Sequence, residues 1–220
     1  MSDVGLAALW LGVLGGGLGL AVTLHRMGVR ATVVRDVLHL GAGVWVFGWP
    51  FWNGVTAPIA LTLGALVALA LVPAVARRSR RVRRLMVSVT GDDERWGGLV
   101  LYATASATLT AIGLLSRQPA PAAAGLLALA LGDGLGGAIG SRFGRHTFRV
   151  PAAKRKSLEG SLTVALAGTL GIVIAAGYFG QTWSPSVVAV AGAVAAAVEA
   201  LSPRGTDNVA VPLAVWAVLA

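Results

Sequence analysis

Asp133 stands among Gly132, Gly134, Gly136 and Gly137 in a stretch, 119–140, that is otherwise apolar. An ionisable group at membrane depth is costly to keep and marks a functional site. Two basic segments follow it: Gly140-Ser141-Arg142-Phe143-Gly144-Arg145-His146, then Lys154-Arg155-Lys156-Ser157-Leu158-Glu159-Gly160. Guanidinium and ammonium groups, with N–H donors of glycine-rich backbone, suit phosphate oxygens. Carboxylates beside them suit the hard divalent cation that accompanies a polyphosphate. The chemistry these types and spacings point to is phosphoryl handling, with Asp133 as a Mg²⁺ ligand or a general base. The plainer alternative makes the glycines a helix-packing seam and the basic loop a topological anchor.

Other residues extend the pattern. Ser157 reads as an N-cap, so the helix that follows turns free N–H groups and its positive end toward the lysines. Glu159 in that first turn either complements the helix dipole or holds a metal. Arg35 and His39 lie four apart on one helical face, placed for a phosphate contact or a proton relay. Glu199 sits inside another apolar segment, followed by Ser202-Pro203-Arg204-Gly205-Thr206-Asp207-Asn208. Asp207 and Asn208 are suited to cap the next helix, and Asp207 is also a candidate metal ligand. The arginines between 77 and 84 read as a topology and anionic-lipid anchor. Gly91-Asp92-Asp93-Glu94-Arg95-Trp96 reads either as part of the site or as a solvated loop.

The elements that must position these residues are membrane helices. The 220 residues are 56% hydrophobic and only 12% charged, with mean hydropathy +0.77. That is too apolar for a soluble domain of this size. Apolar runs fall at 4–24, 36–52, 54–76, 97–116, 119–140, 159–180, 185–202 and 209–220. The expected fold is an all-α bundle of seven or eight spans forming one integral membrane domain over 1–220; the short last run leaves the number open. The 30 glycines fit close helix packing in lipid, and the absence of cysteine excludes disulfides and thiolate metal sites. The first run, preceded by Asp3 and lacking a basic n-region, does not read as a signal peptide.

Charge sets the expected orientation. All of the 18 lysines and arginines except Arg117 fall in alternate loops, which the positive-inside rule places in the cytoplasm with the N-terminus outside. The net charge of +9 is therefore a membrane signature rather than a nucleic-acid one. The opposite loops, Trp49–Thr56, Ser116–Pro121 and Gly180–Pro185, carry little that is reactive. Polar groups confined to one face argue against a channel or transporter, which needs them through the whole thickness. High Ala, Gly and Arg usage is in keeping with a prokaryotic cytoplasmic membrane.

Assembled, these segments resemble the CTP-dependent lipid-alcohol kinases, the family of the phytol, dolichol and CTP-dependent diacylglycerol kinases. Its intramembrane GD reads here Gly132-Asp133, its GxxFGxH-like run Gly140–His146, and its KSxEGS run Lys156–Ser161. Its early R-K-x-x-H reads Arg35–His39 with Asp36 in place of the lysine, and its late segment reads Glu199–Pro212. The match is closest to the compact phytol-kinase type. CDP-diglyceride synthases share the central core, but they also carry a histidine–glycine–glycine segment followed by D-R-x-D that this chain lacks.

The resemblance implies transfer of phosphate from CTP, with Mg²⁺, to a membrane lipid alcohol such as phytol or another polyprenol. It implies catalysis by Asp133 and His39 and a metal held by Asp133, Glu159 and Asp207. The implied nucleotide-binding residues are Arg142, Arg145, His146, Lys154 and Lys156 around the phosphates, with Gly140, Gly144, Ser157 and Gly160 supplying backbone. Arg35 and Asn208 complete that set. The rivals are a cytidylyltransferase that makes a CDP-lipid and a non-catalytic protein that binds anionic lipid.

Overall fold

The computed structural model describes residues 2–90, 96–150, 155–203 and 205–220. The acidic stretch 91–95, Lys154 and Arg204 lie outside the described residues. Among the described residues nine α-helices follow in chain order: α1 (Asp3–Arg26), α2 (Ala31–Gly43), α3 (Thr56–Ala76), α4 (Arg80–Thr90), α5 (Trp96–Leu115), α6 (Pro119–Phe143), α7 (Leu158–Phe179), α8 (Pro185–Leu201) and α9 (Asp207–Leu219). A 3₁₀ segment, Val44–Phe51, prolongs α2, and a two-residue antiparallel ladder pairs β1 (Thr147–Phe148) with β2 (Lys156–Ser157).

The apolar runs correspond to helices, with two differences. The run 36–52 starts earlier, at Ala31, and tightens into 3₁₀ geometry where Pro50 removes a backbone donor. The arginine-rich connection after α3 is not a plain loop: it folds as α4, whose Met86 and Val89 are buried. Among the described residues five helices, α1, α3, α5, α6 and α7, are long and apolar enough to cross a membrane; α8 and α9 are shorter apolar helices.

Local chemistry sets the boundaries. Pro119 and Pro185 occupy first helical turns, where a missing N–H is harmless. Ser157 and Ser184 cap α7 and α8 by accepting from Gly160 N and Val187 N. Gly180 ends α7 in the left-handed region at φ 66°.

Helix α6 is the axis of the bundle. Ala122, Ala123, Ala124, Ala128 and Leu129 on it are fully buried, and α2, α5, α7 and α9 pack around it. Small side chains permit this: a Cβ at Gly171 of α7 would come 2.7 Å from the Leu127 backbone. The ends of the bundle differ. One carries an aromatic cluster in which Trp10 meets Trp45 at 5.0 Å and Phe47 meets Tyr178 at 4.9 Å. The other collects the starts of α2, α5, α7 and α9 and the ends of α6 and α8, and there the polar residues converge.

Candidate active site

At that end lies a cavity of about 510 Å³. Its wall takes Arg35 and His39 from α2, Gly98 from α5 and Asp133 from α6. Lys156 and Ser157 come from β2 and Ser161 from the first turn of α7, Glu199 and Ser202 from the end of α8, and Asp207 and Asn208 from the start of α9. Elements far apart in sequence, from α2 to α9, thus supply one polar chamber.

On one side is an acidic cluster. Asp133, Glu199 and Asp207 each offer a carboxylate oxygen, and these oxygens lie within 4.8 Å of one another. An all-oxygen donor set of this kind fits a hard divalent cation such as Mg²⁺. Asp207 precedes the apolar run that begins at 209; burial first, and then the Asp133 charge, push its carboxyl up to about 6. A cation bound beside Asp207 would relieve that cost of charge.

Facing the acids are cations and free donors. Lys156 pairs with Glu199 and is the basic member nearest the cluster. The Arg35 guanidinium donates to Asp36 at 3.1 Å through one terminal nitrogen, whereas its Nε is buried without a partner. Ser161 Oγ, in the first turn of α7, is likewise buried and unpartnered. Orphaned donors on a cavity wall at a helix N-terminus suit an anion's oxygens. Arg155 also lines the chamber, its Nε donating to Thr147 Oγ1 at 2.7 Å. Asp36, which stands where the family pattern has lysine, thus serves to hold Arg35.

His39 is 4% exposed and packs edge-on against Tyr102, ring centroids 4.6 Å apart. Its Nε2 lies 2.9 Å from Asn208 Oδ1 and 3.6 Å from Asp133 Oδ2. Asn208 Nδ2 donates to Gly98 O at 3.0 Å, which fixes the amide with Oδ1 toward the imidazole. The imidazole must then carry its proton on Nε2. From that nitrogen His39 donates to Asn208, with the Asp133 carboxylate 3.6 Å away.

The basic loop behaves differently from its sequence reading. Gly144 N donates to Gly140 O, and Gly160 N to Ser157 Oγ, so these N–H groups are already engaged. The glycines serve close packing: a Cβ at Gly140 would come 3.2 Å from Gly160 Cα, and one at Gly144 would come 2.7 Å from Ser157 Oγ. Arg142 is exposed over the Phe143 ring, and Arg145 and His146 are exposed as well; none of the three lines the cavity.

Glu159 stands apart from the three-acid cluster found among the described residues. Its carboxylate takes the His146 backbone N–H at 3.2 Å and His146 Nδ1 at 2.8 Å, clamping the loop to the head of α7. Glu199 takes the place expected for it. Sequence reading singled out Glu199 as a buried acid without giving it a metal, because its partners lie more than sixty residues away on α6 and beyond a turn on α9. Arg155 stood within the basic segment and Ser161 at the end of the KSxEGS-like run without being singled out, and Gly98 carried no local signal.

A phytol kinase from Synechocystis sp. is 35% identical to this chain over 218 residues, covering 96% of the chain and 87% of the relative. No family model matches the chain, and no solved structure matches it. The chain belongs to the family of lipid-alcohol kinases that contains phytol kinase, and within it stands close to phytol kinase.

Proposed function

We propose that this protein transfers the terminal phosphoryl group of a nucleoside triphosphate, CTP by family resemblance, to the hydroxyl of phytol or another polyprenol. The observation that carries the reading is one chamber lined by three convergent carboxylates together with Lys156, Arg35, Arg155 and Ser161. Phosphoryl transfer asks mainly for alignment and charge neutralisation, and such a chamber supplies both.

The residues take the following roles. Lys156, Arg35 and Arg155, with Ser161 and the head of α7, hold the nucleotide phosphates. Asp133, Glu199 and Asp207 would hold Mg²⁺, which when bound neutralises charge on the transferring group. The lipid alcohol enters between helices with its tail in the bilayer and its hydroxyl beside Asp133. The alcohol oxygen forms a bond to the terminal phosphorus as the bridging oxygen bond breaks; its proton passes to the Asp133 carboxylate and the nucleoside diphosphate leaves. His39 keeps Asp133 and Asn208 in register. The charge distribution among the loops favours a chamber open to the cytosol, with the N-terminus outside and seven or eight segments in the bilayer.

The test is phosphate transfer by purified protein in nanodiscs, given γ-labelled CTP or ATP, Mg²⁺ and a panel of phytol, farnesol, geranylgeraniol, longer polyprenols and diacylglycerol. Label in a prenol from CTP, abolished by Asp133→Asn, supports the reading. Pyrophosphate released with a lipid phosphate, and no transfer to any alcohol, sinks it and moves the chain to the cytidylyltransferases.

A further inference from the structure

A second cavity, of about 850 Å³, lies between the last turn of α1 and helix α4. Six cationic or titratable side chains line it: His25, Arg26, Arg80, Arg81, Arg83 and Arg84. The four arginines of α4 are exposed, and among the described residues no aspartate or glutamate lines the cavity. Like charges gathered this way repel one another, so the gathering is maintained by packing. Val82, Met86 and Val89 recur at i, i+4 and i+7 and turn one face of α4 inward. Met86 and Val89 are each 3% exposed, in a cluster with Ala21, Val34 and Ala76. A helix with one buried apolar face and one arginine face lies along a membrane interface.

The cavity also has an apolar component, which separates a lipid from a soluble anion. Val22, Leu85 and Val87 contribute to its wall. On α1, Leu18, Val22 and Arg26 follow one face at four-residue steps, and Leu18 is 40% exposed. An apolar stripe therefore climbs α1 into the charged chamber. The matching ligand has acyl chains below and a negative headgroup above.

We propose that this cavity is a specific binding site for the phosphate headgroup of an anionic phospholipid, separate from the catalytic chamber. The arginines grip the phosphodiester through paired N–H donors, a geometry lysine does not reproduce. The acyl chains lie along the Leu18–Val22 stripe, and α4 rests in the headgroup layer.

The experiment measures thermal unfolding of the detergent-purified full chain with added dioleoylphosphatidylglycerol, dioleoylphosphatidylcholine or inorganic phosphate, and counts retained lipid by native mass spectrometry. Phosphatidylglycerol is expected to raise the melting temperature and to be retained as a single bound lipid, while the other two do neither. The triple variant Arg80→Gln, Arg83→Gln, Arg84→Gln is expected to bind phosphatidylglycerol roughly tenfold or more weakly. The double variant Arg77→Gln, Arg78→Gln removes arginines just outside the cavity and is expected to bind as the wild type does.

Equal effects of the two lipids overturn the proposal. So does equal loss in both variants, which means diffuse charge, and so does an equal shift from inorganic phosphate, which means a soluble-anion site. Should the triple variant melt early without lipid, Arg83→Gln alone and the three-ligand comparison on the wild type still decide.

Discussion

Two glutamates separate what adjacency in sequence proposes from what packing brings together. Glu159 neighbours the lysines in sequence, yet its carboxylate is spent on His146; Glu199 arrives from α8 and joins Asp133 and Asp207. Glu199→Gln should lower turnover on the order of 10²-fold or more, the scale of losing one group that stabilises transition-state charge, and should raise the Mg²⁺ concentration needed for half-maximal rate. Glu159→Gln should keep the wild-type Mg²⁺ dependence. Rate measured against Mg²⁺ for both variants checks this, and the reverse pattern would return the metal to Glu159. The fixed Asn208 amide gives a second expectation. With Nε2 donating to Asn208, His39 serves to hold that amide in place. His39→Gln retains a donor and should keep more activity than His39→Ala, which steady-state kinetics on the two variants checks. Equal loss in both would mean that the imidazole does more than donate one hydrogen bond.

Among the elements, the head of α7 does most to align the chamber. Ser157 caps the helix, pairs with Thr147 in the ladder, and directly follows Arg155 and Lys156, which both line the cavity. Ser157→Ala should cost about 1 kcal/mol through the lost cap. On the proposed function the displaced groups bind the nucleotide phosphates, so KM for the nucleotide should rise more than KM for the lipid alcohol. Steady-state kinetics with each substrate varied in turn checks this; equal rises would reduce Ser157 to a purely structural cap. The helices themselves were readable from sequence, since apolar runs bounded by Pro, Ser and Gly allow little else in a bilayer. Helix α4 was less so. Its apolar positions 82, 86 and 89 have helical spacing, but the arginines around them read first as a solvated connection. The close approach of α6 and α7 was hidden too, because a glycine run announces small size without naming its partner. Gly171→Ala drives a methyl into the Leu127 backbone at 2.7 Å and should destabilise the bundle by roughly 1–3 kcal/mol.

At the scale of the whole molecule, the two ends of the bundle have opposite chemistry. One holds the indole clusters around Trp10, Trp45 and Trp49, residues that favour the membrane–water boundary. The other holds both cavities and nearly all the cations. Sequence could assign residues to the polar end because charge alternates from loop to loop, whereas which acids meet there depended on six helices packing in three dimensions. On the proposed function, nucleotide would reach the chamber from one compartment and the lipid alcohol from the bilayer, so the sidedness of the protein would decide which nucleotide pool it can use. The chain contains no cysteine, which makes sidedness directly measurable with single introduced thiols. Ser141→Cys, exposed at the polar end, should resist a membrane-impermeant maleimide applied to intact cells and react once the membrane is opened. Gln118→Cys, exposed in the turn before α6 at the aromatic end, should react in intact cells. The opposite pattern would put the chamber outside, away from cytosolic nucleoside triphosphate, and a kinase so placed would have no phosphoryl donor.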